Sequence, residues 1–398
     1  MNAVLLDKYA DVLIWGLKTA RNNKFKPYDT IMLRWELAGQ PLAEKVYEKL
    51  IQQKFNVLSR ALVTPNMEYS FYKNADSTQR RFINKGEKEL YENLNGNIYI
   101  SAPASLTHLK DIDPKKMGET AVARKFLRDI TEKREECGAY AWTLCTYPTA
   151  ELANKARLSL AEYTAQIVKA CYLNEKYPVK KWQETLRLAT EIKKWLNALP
   201  IKTFHVESKN TDLLITYGRQ RKFMGVSGHN IPSFELFTSP DWRGTQGRYY
   251  ANLPSYRGGN YVDGIDLTFE KGSAVKISAK KGEEYVRKTL HLDKQANKLG
   301  EFSLTDKRFS KIDKFMADIL FDENFGGNSG NCHIAVGASY SDTYAGNPKN
   351  LTKKLKNELG FNDSALHWDL INTEQKTVTA TLHNGKKVII YDKGMFRY

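Results

Sequence analysis

The sequence is poor in cysteine and has no long apolar run. Its 398 residues include four cysteines, none of them in a CxxC pair, which argues against a disulfide framework and a cysteine-based zinc site. No stretch approaches the roughly 20 apolar residues that a membrane span needs, so we predict no membrane partner. The first 20 residues contain Asp7, Lys8 and Asp11, which are typical of an amphipathic helix rather than a signal peptide. We therefore expect a cytoplasmic protein.

Histidine is also scarce, and charge of one sign predominates. Six of the seven histidines lie beyond residue 200, and the formal net charge is +16. A basic protein can bind nucleic acid. Here, however, the basic residues are spread along the chain among acidic ones, and no helix-turn-helix, zinc-finger or RNA-recognition signature is present. We predict no nucleic-acid partner and keep a basic nucleic-acid-binding protein without catalysis as an alternative.

The amino-terminal half alternates helical and strand-like patterns. This alternation is typical of an α/β domain with a mostly parallel sheet, which we assign to residues 1–199. The predicted strands are 29–37, 55–63, 95–102 and 137–146, and the predicted helices are 41–54, 149–170 and 178–199.

The carboxy-terminal half has a different composition. Only six of the 25 glycines precede residue 200, and the later residues form short β-type runs separated by Gly, Asn and Asp turns. Residues 268–277 and 379–390 are predicted to be hairpins, and 283–299 a long helix. Because 398 residues exceed what one core usually organises, we predict a second, α+β domain over 200–398, rich in antiparallel sheet.

Two histidine-containing segments suggest a metal site. In the strand-like SALHWDLI, alternation places His367 and Asp369 on one face and Trp368 on the other. A polar solvent face is the plainer interpretation of that pattern. In NCHIAVG, alternation separates Cys332 from His333, so we expect Cys332 to be a buried, inert thiol.

Three glutamates upstream of these segments are further candidate ligands. Glu235 lies in the apolar run SFELF, where an ionised carboxylate is costly unless a lysine or a metal pairs with it. Glu301 follows Gly300, which we expect to cap the predicted helix in a left-handed conformation. Glu323 precedes the glycine-rich segment 325–331, which leads to His333. Imidazoles combined with carboxylates suit zinc, cobalt or manganese.

Taken in order, NIPSFELFTSP, LGEFSL, LFDENF…NCHIAVG and HWDL resemble the signature segments of the thermophilic metalloaminopeptidase family, the dinuclear metal aminopeptidases of the AmpS and PepS type. The resemblance runs through most of residues 170–390. It implies a homodimer that hydrolyses amino-terminal residues from peptides through a water activated by two divalent metal ions, namely zinc, cobalt, manganese or possibly magnesium. The ligands that it implies are Glu235, Glu301, Glu323, His333, His367 and Asp369.

The resemblance also implies catalytic roles. Tyr340 would stabilise the reaction intermediate, and Glu301 or Glu323 would act as general base. Since Tyr340 follows His333 by seven residues, an unbroken strand would point them to opposite faces, so we expect a bulge or a break at Gly337. The sequence departs from the family at Trp368, where relatives often carry valine, and in a longer link after Glu323. A dinuclear metal phosphoesterase is the rival enzyme class, although the usual glycine-rich phosphate loop is missing.

Overall fold

The computed structural model describes residues 1–347 and 350–398. Internal contacts divide them into two compact units, called unit 1 and unit 2 below. Unit 1 comprises Met1–Trp182, Ser227–Pro232 and Arg257–Asn260, and unit 2 comprises Gln183–Val226, Ser233–Tyr256 and Tyr261–Tyr398. The predicted domain boundary at residue 199 stays a prediction.

The described residues form α-helices and β-strands throughout, together with 3-10 turns at Leu37–Gly39 and Ser341–Thr343. The helices are α1 Ala3–Ala20, α2 Gln40–Gln52, α3 Pro65–Asn74, α4 Ser77–Arg81, α5 Glu87–Asn93, α6 Pro114–Glu136, α7 Ala150–Lys155, α8 Leu160–Ala170, α9 Pro178–Ala198, α10 Glu283–Leu290, α11 Ile319–Asp322 and α12 Lys353–Leu359. The strands are β1 Thr30–Trp35, β2 Asn56–Ala61, β3 Gly96–Ser101, β4 Ala141–Thr146, β5 Ile201–Ser208, β6 Asp212–Thr216, β7 Asn230–Ile231, β8 Glu235–Thr238, β9 Asp241–Ala251, β10 Ser255–Arg257, β11 Asn260–Glu270, β12 Ser273–Lys281, β13 Leu299–Thr305, β14 Asn331–Gly337, β15 His367–Asn372, β16 Lys376–Leu382, β17 Lys387–Asp392 and β18 Met395–Phe396.

Unit 1 is built on a parallel sheet with the strand order β2-β1-β3-β4-β7. The amino-terminal segment is an amphipathic helix as predicted: α1 buries Leu6, Tyr9, Leu13 and Leu17, which recur at helical spacing. Asn2 caps this helix by accepting the backbone N–H of Leu5. These observations confirm the predicted α/β half.

The predicted helix 149–170 is wrong, because the chain forms α7 and α8 with a break between them. Arg157 adopts a left-handed conformation (φ 59°), which an α-helix cannot contain. Ser159 then caps α8, and its side chain forms a reciprocal capping box with Glu162. The cap supplies hydrogen-bond acceptors for backbone N–H groups at the start of α8, which have no partner within the helix. Such groups exist only where a new helix begins.

The predicted helix 283–299 is also wrong, since α10 ends at Leu290. Beyond it, Asp293 accepts hydrogen bonds from the backbone N–H groups of Gln295 and Ala365, which favours a loop. Gly300 is therefore not a left-handed helix cap. It lies within β13, where a Cβ would collide with the backbone oxygens of Gly337 and Ala338. Glycine there permits a close backbone approach rather than a turn.

Unit 2 contains two antiparallel sheets, which confirms the predicted α+β half. One has the order β10-β11-β9-β6-β5-β16-β17-β18, with β12 paired to β11, and includes both predicted hairpins. The other has the order β15-β14-β13-β8. Phe204 of β5 packs against Phe302 of β13, with ring centroids 5.1 Å apart, so an apolar core lies between the sheets. In the described residues, no helix combines the length and apolar character that membrane crossing requires.

Candidate metal centre

The four-stranded sheet brings the predicted ligands onto one face. Residues paired directly across strands share a face. The pairing aligns Glu301 with Ala335, and Ala335 in turn with Asp369; it also aligns His333 with Ser303. Glu235 pairs with Thr305, two positions beyond Ser303, and therefore lies on the same face. Each of the four strands thus contributes at least one imidazole or carboxylate.

The donor atoms form two groups that share one carboxylate. His333 Nε2 lies 3.2 Å from Glu235 Oε2 and 3.3 Å from Glu301 Oε1. His367 Nε2 lies 3.2 Å from Asp369 Oδ1 and 3.6 Å from Glu301 Oε2. Within each group the donor atoms lie within 4.8 Å of one another. Glu301 therefore presents one oxygen to each histidine.

Hydrogen bonds orient several of these side chains. His367 Nδ1 lies 2.9 Å from the carbonyl oxygen of Ala338, which suits an N–H donor at Nδ1 and leaves Nε2 as the nitrogen that faces the site. Ser303 Oγ donates to Glu235 Oε2 at 3.0 Å. His333 Nδ1 is buried, and among the described residues it has no hydrogen-bond partner.

The site is buried, and burial shifts its acid–base behaviour. Glu301 is 3% exposed, and burial raises the pKa of its carboxyl to about 7 against the opposing effect of His333. Burial would lower the pKa of His367, but Asp369 and Glu301 outweigh it and raise that pKa to about 9. Without metal, the site therefore retains protons at neutral pH.

Glu323 lies beside these groups without belonging to either. It is the C-cap residue directly after helix α11 and is 8% exposed. Burial, followed by the charges of Glu235 and Asp369, raises the pKa of its carboxyl well above the ordinary value. Asn324 Nδ2 donates to Glu323 Oε1 at 3.4 Å.

The strand that carries His333 ends before Tyr340, as predicted. Strand β14 ends at Gly337, whose φ is 102° and where a Cβ would collide with the carbonyl oxygen of Leu366. The Tyr340 ring lies 4.7 Å from the ring of His367 and 5.7 Å from that of Phe237, measured between centroids. Although the residue is 45% exposed, partial desolvation and then the nearby carboxylates raise the pKa of its hydroxyl above 10.

The opposite face of the sheet is apolar. Cys332 is 1% exposed, and burial raises the pKa of its thiol to about 11, which confirms a buried and unreactive cysteine. Trp368 is also buried, and its indole N–H donates to Ser255 Oγ at 3.3 Å. The tryptophan therefore packs away from the donor groups.

Some residues that support the site were not identified from the sequence. Ser303 follows Glu301 by two positions, so strand alternation could have placed its hydroxyl on the same face. Asn324 accepts the backbone N–H of Phe234 at 2.6 Å and so connects Glu323 to the segment before Glu235. That contact joins residues far apart in sequence, and no local pattern indicates it.

The donor set suits divalent cations. In the described part of the chain, no lysine or arginine lies within ion-pair distance of Glu235 or Glu301, so the lysine pairing considered for Glu235 is not found. Buried carboxylates without a cationic partner other than histidine are costly. Imidazole nitrogens and carboxylate oxygens are ligands for zinc, cobalt or manganese. The residues present therefore fit a metal centre.

Residues 3–396 match the family described as thermophilic metalloprotease (M29), and the chain belongs to this family. It is 28% identical over 333 residues to aminopeptidase AmpS of Bacillus subtilis, covering 79% of each chain. It is 26% identical over 419 aligned positions to aminopeptidase 2 of Geobacillus stearothermophilus, covering 99% of this chain and 98% of that one. The structure of wild-type AmpT from Thermus thermophilus has the same fold (TM-score 0.79, 20% identity, 98% of this chain and 99% of that one). These findings confirm the predicted family and the prediction that the protein is a peptidase.

Proposed function

We propose that this protein is an aminopeptidase that uses two divalent cations to remove amino-terminal residues from peptides. The observation that carries the proposal is the pair of buried donor groups, Glu235–Glu301–His333 and Glu301–His367–Asp369, joined through Glu301. The names of the relatives support the choice of substrate. Zinc, cobalt and manganese fit the mixed donors, and magnesium fits less well because it prefers oxygen.

When bound, a pair of such cations would lower the pKa of a water molecule and polarise the scissile carbonyl. The chain's own carboxylates then have separate tasks. Glu301 belongs to both donor groups, which favours a role as shared ligand, whereas Glu323 belongs to neither and favours a role as general base. Burial raises the pKa of the Glu323 carboxyl, which makes its carboxylate a stronger base than that of an ordinary glutamate.

Tyr340 is proposed to donate a hydrogen bond to the oxygen of the reacting carbonyl. A tyrosine hydroxyl is protonated at neutral pH, so it can act as a donor there. Loss of one such donor typically lowers kcat by about 10²–10³. The surrounding carboxylates also attract the free amino group of a peptide, which explains cleavage at the amino-terminal residue.

The proposal is tested by chelation and metal add-back with leucine p-nitroanilide as substrate, beside a nitrophenyl phosphate ester. Hydrolysis of the anilide alone, restored by metal, supports a peptidase over a phosphoesterase. His367→Ala should lose both bound metal and turnover. The control is His205→Ala, which removes a partly exposed histidine paired with Asp212 in the other sheet and should change neither. Full turnover in His367→Ala would refute the proposal.

The roles of the two glutamates are separated by amide variants. Glu323→Gln should keep its metal and lose turnover. Glu301→Gln should lose metal, because Glu301 belongs to the donor groups and Glu323 does not. The opposite result would exchange the two roles. The homodimer and the cytoplasmic location stay predictions, which sedimentation and cell fractionation can test.

A further inference from the structure

Ser239 lies just beyond strand β8 and contacts the backbone of Tyr340. It is fully buried, and its Oγ accepts the Tyr340 backbone N–H at 2.8 Å. We propose that Ser239 is a positioning residue, which holds Tyr340 at the metal centre and so sets the contribution of its hydroxyl to turnover. This inference rests on the proposed function.

The anchor matters because the side chain of Tyr340 is weakly held. Among the described residues, no hydrogen bond fixes its hydroxyl, and the residue is 45% exposed. Its ring contacts are with the rings of His367 and Phe237. The position of the phenol therefore depends on the backbone from which it extends.

Ser239 is itself fixed by a buried arginine. Its carbonyl oxygen accepts Arg221 Nε at 2.5 Å, and the same guanidinium donates to the carbonyl oxygens of Arg219 and Leu359, each at 2.8 Å. The guanidinium also lies over the Phe361 ring, 3.5 Å from the centroid. A group that is held this way provides a rigid support for the Tyr340 backbone.

The other backbone group of Tyr340 has its own anchor. Thr343 Oγ1 donates to the Tyr340 carbonyl oxygen at 2.7 Å, and the Thr343 carbonyl oxygen accepts the backbone N–H of Lys222 at 2.9 Å. Both backbone groups of Tyr340 are thus bonded to residues outside the donor groups. Of these two anchors, Ser239 is the one that directly follows β8, the strand that carries Glu235. It therefore connects that strand to Tyr340.

Removing the Ser239 hydroxyl should loosen Tyr340 without disturbing the metal ligands. For Ser239→Ala we expect kcat to fall on the order of 10-fold with KM and metal content unchanged, because a small displacement of a catalytic group is costly. Tyr340→Phe should cost about 10²–10³. The double variant should be no worse than Tyr340→Phe alone, because the serine acts through the hydroxyl that is already missing.

A control separates positioning from general packing. Thr149→Val also removes a buried hydroxyl that accepts a backbone N–H, that of Leu152 at 3.2 Å, at the start of helix α7 in unit 1. It should leave kcat unchanged. If Ser239→Ala does not fold, Thr343→Val removes the second anchor and should show the same dependence on the Tyr340 hydroxyl.

A second readout needs no turnover. In metal-free protein labelled with ¹³C at the tyrosine hydroxyl carbon, the signal that Tyr340→Phe removes should shift or broaden in Ser239→Ala and not in Thr149→Val. An unchanged signal, an unchanged kcat, or an equal loss in the Tyr340→Phe background would overturn the inference. Absence of metal-dependent hydrolysis by the unaltered protein would instead overturn the proposed function.

Discussion

A buried lysine gives the sharpest test of the electrostatics of unit 2. Lys376 begins strand β16, is 2% exposed, and among the described residues its Nζ has no hydrogen-bond partner. Burial lowers the pKa of this amine from 10.5 to about 8, against the opposing charges of Cys332 and Glu374. A pKa change of one is worth about 1.4 kcal/mol, so the lowering corresponds to about 3 kcal/mol.

The sign of the effect follows from proton binding. Below pH 8 the amine is protonated in both folded and unfolded chains, and the folded state bears the full cost of the buried charge. Between pH 8 and 10.5 the unfolded chain binds the proton and the folded chain does not, so stability rises with pH. Lys376→Met removes the charge at similar length, so at pH 7 we expect it to raise the free energy of unfolding by about 3 kcal/mol.

The assay is urea unfolding of metal-free protein at several values between pH 7 and 11. The stability difference between Lys376→Met and the unaltered protein should shrink by about 3 kcal/mol across this range. Lys387→Met, which removes an exposed ammonium group in β17, should show a difference that does not vary with pH. A constant difference for Lys376→Met, or a variant less stable than the unaltered protein at pH 7, would refute the reasoning.

Two further predictions concern the sheet that carries the donors. Ser303→Ala should weaken metal binding about 10- to 100-fold in a competitive chelator titration, because Glu235 loses the hydrogen bond that orients it; unchanged affinity would exclude that role. Gly300→Ala should destabilise the protein by about 1–3 kcal/mol or more, because its Cβ has no space. Gly118→Ala, in the open interior of α6, should instead stabilise it by about 0.5–1 kcal/mol; urea unfolding distinguishes the two.

Local patterns predicted those features of the site that depend on one strand. Alternation placed His367 and Asp369 together, separated Cys332 from His333, and required the break at Gly337. Each of these follows from the period of two in a strand.

Features that depend on strand pairing were not available from local patterns. The pairing of β8 with β13 brings Glu235 to His333, and only the family resemblance indicated that they meet. The predictions of helices 149–170 and 283–299 were too long for a related reason. Apolar periodicity continued past residues 157 and 290, but a left-handed residue and an aspartate-bonded loop ended the helices there.

The distribution of donors over four strands has a consequence for synthesis. Glu235 emerges from the ribosome long before Asp369, and β15, which carries Asp369, pairs with β14 at the edge of the sheet. A nascent chain that stops before His367 lacks two of the three members of the second donor group, His367 and Asp369, and has only Glu301 of that group. Under the proposed function, metal-dependent hydrolysis is therefore expected only after strand β15 has been translated.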